Sequence, residues 1–229
     1  MAEFVKNHGK NCAKDWERLK YFYQLSLKSG LFVFPAPVKT EGELIYYERI
    51  SDLISLTDFI SLENYDKVCA ALGRVLAAVH ADRRQGRRVS LHGDFGLVNI
   101  GWSKERNLPI IFDPIAAEFC WYDNYLGDRY FDLGQLISTI FTTACYYRIL
   151  KKSQKLPVLL IKQIVQFYEN SAGLKIDLKR LEKFAMRLHR LHFRFMLKKR
   201  WGSLKFFGLP LTLILRNEMR RAFKCLIIV

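Results

Sequence analysis

The stretch from Ser90 to Pro114, SLHGDFGLVNIGWSKERNLPIIFDP, constrains the fold more than any other part of the chain. It sets Asp94 in His92-Gly93-Asp94, Asn99 five residues later, and Asp113 at the end of the apolar run Ile110-Ile111-Phe112. Gly101-Trp102 and a polar turn from Ser103 to Asn107 separate the halves, which predicts a loop followed by a two-stranded hairpin. A hairpin folds its far end back on its near end, so Asp94, Asn99 and Asp113 are expected to meet. Three hard oxygen donors in one place suit phosphoryl transfer. One carboxylate orients a hydroxyl, while an amide and a second carboxylate hold Mg²⁺ on nucleotide phosphates. The plainer alternative is a polar loop whose Asp and Asn cap turns.

His-Gly-Asp-x-x-x-x-Asn followed by a strand-borne Asp resembles the catalytic core of the aminoglycoside phosphotransferase and choline kinase group. These are small-molecule kinases of the protein-kinase-like superfamily. Asp94 to Asn99 also matches the Asp-to-Asn spacing of the protein-kinase catalytic loop. Asp113 is followed by Pro114 rather than Phe-Gly, as suits the small-molecule enzymes. The resemblance implies an α+β, protein-kinase-like two-lobed fold. Residues 1–50 would form a truncated sheet lobe on the nucleotide side. Residues 51–229 would form a mainly helical lobe that carries the catalytic loop and ends in a basic helical region. It further implies transfer of the γ-phosphoryl group of ATP, with Mg²⁺, to an alcohol of a small molecule or saccharide. Asp94 is then the catalytic base, and Asn99 and Asp113 are metal ligands. His92 and Asp132 support the loop, because Asp132-Leu133-Gly134 resembles the family's Asp-Leu-Ala, whose buried carboxylate braces backbone N–H groups.

Further upstream, Lys6 resembles the strand lysine that contacts the α- and β-phosphates, and Glu17 its ion-pair partner. An exposed Lys and an exposed helix Glu are the alternative. Leu44 to Ile50 reads as a strand by its β-branched and aromatic content. By resemblance it leads into the lobe connector, where backbone groups at Glu48 and Ile50 would bond adenine; an ordinary strand end is the other reading. Relatives place two strands and a phosphate-covering loop before the lysine. Only five residues precede Lys6, so about three strands are expected before the connector.

Helical periodicity predicts a helix from Asp15, as its cap, to about Lys28, with Trp16, Leu19, Tyr23 and Leu27 inward. A second runs from Tyr65 to His80 with Val68, Leu72, Val75, Leu76 and Val79 on its apolar face, and His80 packs at its end. Tyr130 to Leu150 reads as a buried helix rather than a membrane span, because Asp132, Gly134 and Gln135 interrupt it. Leu156 to Asn170 is a further helix. The aromatics Phe119, Trp121, Tyr122 and Tyr125 either cover the core or stack on a ring-bearing acceptor.

Half the residues are hydrophobic, which excludes a disordered chain. Five scattered cysteines without a CxxC pair indicate reduced cytoplasmic thiols, not a zinc site or a disulfide framework. The N-terminus has no signal-peptide pattern. The net charge of +15 calls for an anionic partner or surface. Residues 171–229 carry most of it, with 15 Lys and Arg against three acidic residues. There Leu181, Phe184, Leu188, Leu191 and Phe195 form an apolar stripe, each preceded by a base: Arg180, Lys183, Arg187, Arg190 and Arg194. The basic stripe reads as a solvated face, as a site for an anionic acceptor such as a phosphorylated sugar or lipid-linked saccharide, or as a peripheral contact with an anionic membrane surface. Only charge speaks for nucleic acid. The run Arg83, Arg84, Arg87, Arg88 reads as a solvated loop or an anion contact. Two other classes stay open: a pseudokinase that binds without turnover, and a peripheral polyanion- or membrane-binding protein.

Overall fold

The structure is a computed structural model that describes residues 3–82, 84–85, 88–114, 121–122, 125–199 and 205–227. Arg83, Arg87 and Phe119, all named above, lie outside these residues. Three strands form the first sheet: β1 (Glu3–Asn7), β2 (Pro37–Glu41) and β3 (Leu44–Glu48), antiparallel in the order β1-β3-β2. Among the described residues no other strand joins it. Lys6 therefore sits on an edge strand, paired with Ile45.

Between β1 and β2 lies α1 (Cys12–Ser29), which starts three residues before the predicted cap. Asp15 does not cap it. Its carboxylate is buried within the helix and accepts from His8 Nδ1–H (3.0 Å), while Tyr47 O–H donates to His8 Nε2 (2.7 Å). This chain of bonds fastens α1 to β3, and a buried carboxylate must be so satisfied. The buried face runs through Cys12, Asp15, Arg18, Leu19, Phe22, Leu25 and Ser26. Leu27, expected inward, is 62% exposed. The phase differs because two polar residues on the true face, Asp15 and Arg18, find partners outside the helix, which a count of apolar spacing cannot register.

The connector after β3 leads to β4 (Leu53–Ser55) and the single turn α2 (Leu56–Phe59). Next come α3 (Tyr65–Asp82) and a small sheet of β5 (Arg84–Gln85), β6 (Arg88–Ser90) and, later, β9 (Leu126–Gly127). The predicted hairpin is β7 (Ile100–Ser103) and β8 (Leu108–Ile111), in register Ile100↔Ile111 to Ser103↔Leu108, with β4 added alongside β7. Val33 donates to Pro109 O and accepts from Ile111 N–H, tying the α1–β2 connection to the hairpin.

The predicted apolar face of α3 is buried throughout. It packs on α6 (Leu156–Ala172) so closely that a Cβ at Gly73 would lie 2.7 Å from Tyr168 N. The apolar stretch from Tyr130 is two helices, α4 (Tyr130–Ile140) and α5 (Thr143–Leu150), broken at Phe141-Thr142. Every residue of α4 is buried. The chain ends in α7 (Leu178–Lys199), packed on α4, and α8 (Lys205–Ile227), which buries Leu215, Met219, Ala222 and Phe223. Among the described residues no helix is long and apolar enough to cross a membrane.

Candidate active site

The loop between β6 and β7 is shaped by a carboxylate beneath it. Asp132, on the first turn of α4, is fully buried. Its Oδ2 accepts the His92 N–H (2.6 Å) and its Oδ1 the Gly93 N–H (3.0 Å). Gly93 has φ 86°, the left-handed turn that lets two successive N–H groups aim at one carboxylate. His80 Nε2 approaches the same carboxylate (3.3 Å), and Tyr168 O–H donates to His80 Nδ1 (2.8 Å). Residues of α3, α4 and α6 thus converge on the loop. Burial opposes ionisation of Asp132, but the hydrogen bond from His80, the neighbouring His92 and the backbone N–H hold its carboxyl below the ordinary range. His92 accepts the Asp94 N–H at Nδ1 (3.2 Å), and burial pushes its pKa down to about 4, so the ring is neutral.

Asp94 stands above this brace. Asn99 Nδ2 donates to its Oδ2 (2.8 Å) and to its backbone carbonyl (2.9 Å), and Gln135 Nε2 donates to its Oδ1. Burial raises the Asp94 pKa to about 6, against the opposing Asn99 bond and with help from the charges of Asp113 and Asp132. Its carboxyl is poised for proton transfer near neutral pH. The Phe112 N–H donates to Asn99 O (2.9 Å), which sets Asp113 beside Asn99 as the hairpin reading requires. Asp113 has φ 46°, a left-handed conformation uncommon outside glycine, which aspartate tolerates better than most residues.

Lys6 Nζ lies 2.6 Å from Asp113 Oδ1. Glu17 is not its partner, contrary to expectation. Glu17 points outward and pairs with Lys20 (2.6 Å). Helix phase explains this: Leu19, not Glu17, faces the cleft with Lys6. That cleft, of about 630 Å³, is also lined by Asn99, Asp113, the connector Glu48–Ile50 and apolar groups from Phe34, Tyr47, Leu53 and Val98. The Glu48 N–H is spent on Ala36 O (2.9 Å), so of the backbone groups expected to meet adenine this one is not open to a ligand.

Two residues escaped the sequence reading. Gln135 carried a signal, as a polar side chain within an apolar helix, but it was read only as an interruption. Arg18 carried none, since it binds backbone carbonyls of Leu91 and Pro114.

Among the described residues no group of three His, Cys, Asp or Glu side chains can hold a metal unaided. The donors at the cleft, one amide oxygen and one carboxylate, fit a metal that arrives on phosphates, because Mg²⁺ usually takes one or two carboxylates plus phosphate oxygens.

No protein-family model and no curated protein sequence matches the chain. Solved structures do. The choline kinase LicA from Streptococcus pneumoniae superposes with a TM-score of 0.52 at 14% identity, over 97% of this chain and 86% of its own. A choline/ethanolamine kinase family protein from Mesorhizobium loti gives 0.55 at 12% identity, over 98% and 86%. LicA in complex with AMP gives 0.53 at 12% identity, over 97% and 84%. At such identity the likeness is one of fold.

Proposed function

We propose, from a chain with the two-lobed, protein-kinase-like fold of those choline kinase structures, an ATP-dependent phosphotransferase acting on an alcohol group of a small molecule or saccharide. The observation that carries this reading is the meeting of Asn99, Asp113 and Lys6 along one cleft, with Asp94 bonded directly to Asn99 behind them. When bound, ATP would supply the phosphoryl group and Mg²⁺ would neutralise its charge. Asn99 and Asp113 would hold the metal. Asp94, fixed by Asn99 and Gln135, orients the acceptor hydroxyl and takes its proton late. Lys6 and Asp113 neutralise each other in the free protein, and phosphate and metal offer each a replacement partner. The apolar walls suit a planar base, and Arg49 and Ile50 are left to meet its edge; the solved complex of LicA with AMP supports a nucleotide there.

The role of Asp94 fixes a pH dependence. As a base it must be ionised, so kcat/KM should rise with pH through an apparent pKa near 6 and level off above it. A profile of kcat/KM for Mg-ATP from pH 4.5 to 8.5 checks this, and a limb near 4 would contradict it.

The acceptor reading is an anionic one. A quaternary ammonium acceptor suits a strongly basic C-terminal region poorly. On α7, Arg187, Arg190 and Arg194 are exposed, and Arg187 Cζ lies 4.1 Å from the Trp121 ring centroid. Changing all three to Gln should raise the acceptor KM by about tenfold and flatten its salt dependence, leaving ATP binding unchanged. Unchanged acceptor kinetics across salt would return these arginines to a solvated face.

A second reading, a pseudokinase, draws on the Lys6–Asp113 pair and on the exposed position of Glu17, which leave the lysine without its usual helix partner. Saturable Mg-nucleotide binding with no label transfer to any alcohol or to water would favour it.

A further inference from the structure

Arg18 is the one buried arginine on α1, 9% exposed, and its guanidinium joins three parts of the chain. Nη2 donates to the carbonyl of Leu91, the residue just before His92-Gly93-Asp94. Nε donates to the carbonyl of Pro114, the residue just after Asp113 (3.2 Å). The cation is enclosed by aromatic rings, with Cζ 4.0 Å from the Tyr125 centroid, 4.5 Å from Phe22 and 5.0 Å from Tyr21. Tyr125 is itself held in a left-handed conformation (φ 56°), and its carbonyl accepts the Leu91 N–H (2.8 Å).

We propose that Arg18 is a positioning residue that sets the register between the Asp94 loop and the Asp113 segment and ties both to α1. The argument rests on the fork. A guanidinium is planar and presents N–H donors in fixed directions, so two carbonyls bonded to one guanidinium are held at a fixed separation. Each of those carbonyls is close in sequence to a site carboxylate, Leu91 to Asp94 and Pro114 to Asp113. The ring faces favour the largely buried cation. An ammonium on a flexible stem keeps the charge but lacks the fork, so lysine should not replace it. The role deepens the phosphotransferase reading and rests on it for its consequence in catalysis, but the positioning itself can be read without turnover.

The test compares the parent with Arg18→Lys and Arg18→Met by hydrogen exchange on the nucleotide-free chain, beside Mg²⁺ titrations of ATP binding and turnover. Both variants should exchange faster at the amides of His92 to Asp94 and of Phe112 and Asp113 together, while α3 and α6 keep their protection. Arg18→Lys should keep its affinity for metal-free ATP, need roughly tenfold more Mg²⁺ for half-maximal turnover, and lose on the order of 10²-fold in kcat. A uniform loss of protection across the chain would mark a merely structural residue and overturn the proposal, as would unchanged exchange in both segments. If the parent itself turns over no nucleotide, the phosphotransferase reading fails; paired exchange would then still support the positioning role, and unpaired exchange would reject it.

Discussion

Asp94→Asn should lose turnover by roughly 10²–10⁴-fold while still binding Mg-nucleotide as the parent does, the usual scale for removing a general base. Asp113→Asn should instead weaken Mg-nucleotide binding itself, because a hard divalent cation prefers a charged oxygen to an amide. The two carboxylates are close enough to raise the Asp94 pKa, yet their neighbours differ. Asp94 is enclosed by Asn99 and Gln135, whereas Asp113 opens on the cleft beside Lys6. The same substitution reports on stability. The folded-state pKa of Asp94 lies above its ordinary value, so its ionisation destabilises the fold above about pH 6, and this penalty vanishes below about pH 4. Removing the charge at neutral pH relieves at most about 3 kcal/mol, against about 1 kcal/mol for one lost hydrogen bond. Asp94→Asn is therefore expected to melt no lower than the parent at pH 7–8 while being the less active protein. Calorimetric nucleotide titrations with and without Mg²⁺, thermal melts and a turnover assay check all three statements. A cleanly folded Asp94→Asn that turns over at the parental rate contradicts the assignment.

Asp132→Ala should be the most destabilising single change at the site. It leaves the N–H groups of His92 and Gly93 and the ring N–H of His80 without their acceptor in a fully buried place. Breaking such a buried charged network typically costs about 3–5 kcal/mol. For a chain of this size that lowers Tm by on the order of 10 °C. Turnover should fall too, since the turn that aims Asp94 loses its foundation. The pH dependence has the opposite sign to that of Asp94. The Asp132 carboxyl titrates below the ordinary range, so its stabilising effect is complete at neutral pH and is lost only as acid protonates it. Parent and variant melts should accordingly converge toward low pH. A variant that melts within 2 °C of the parent at neutral pH, a margin of under about 1 kcal/mol, would show that the loop is held by other means.

The site was legible where its chemistry is local. His92-Gly93-Asp94, Asn99 and Asp113 belong to one short stretch, and the hairpin follows from the alternation and turn residues within it. Asp132 was legible through the resemblance of Asp132-Leu133-Gly134 to the Asp-Leu-Ala of the small-molecule kinases, and a buried carboxylate there demands partners. What escaped depends on groups without a sequence signature. The face of α1 is set by Asp15 reaching His8 and by Arg18 reaching two carbonyls, so a count of apolar spacing turned the helix too far and put Leu27 inside. Glu17 was assigned to Lys6 by resemblance alone, and the phase of α1 turns it outward to Lys20. A backbone acceptor is present at every position, so nothing in the residue types of Leu91 or Pro114 announces the bond to Arg18. The break between α4 and α5 was hidden for a different reason: both helices are apolar, and Phe141-Thr142 contains neither glycine nor proline.

The most direct measurement follows the γ-phosphate of labelled ATP with Mg²⁺ across a panel of neutral and anionic alcohols, in the parent and in Asp94→Asn. The account predicts transfer of label to an alcohol by the parent, dependence on Mg²⁺, and loss of that transfer in Asp94→Asn with nucleotide still bound. Absence of nucleotide binding in the parent, or transfer that survives Asp94→Asn undiminished, would contradict it.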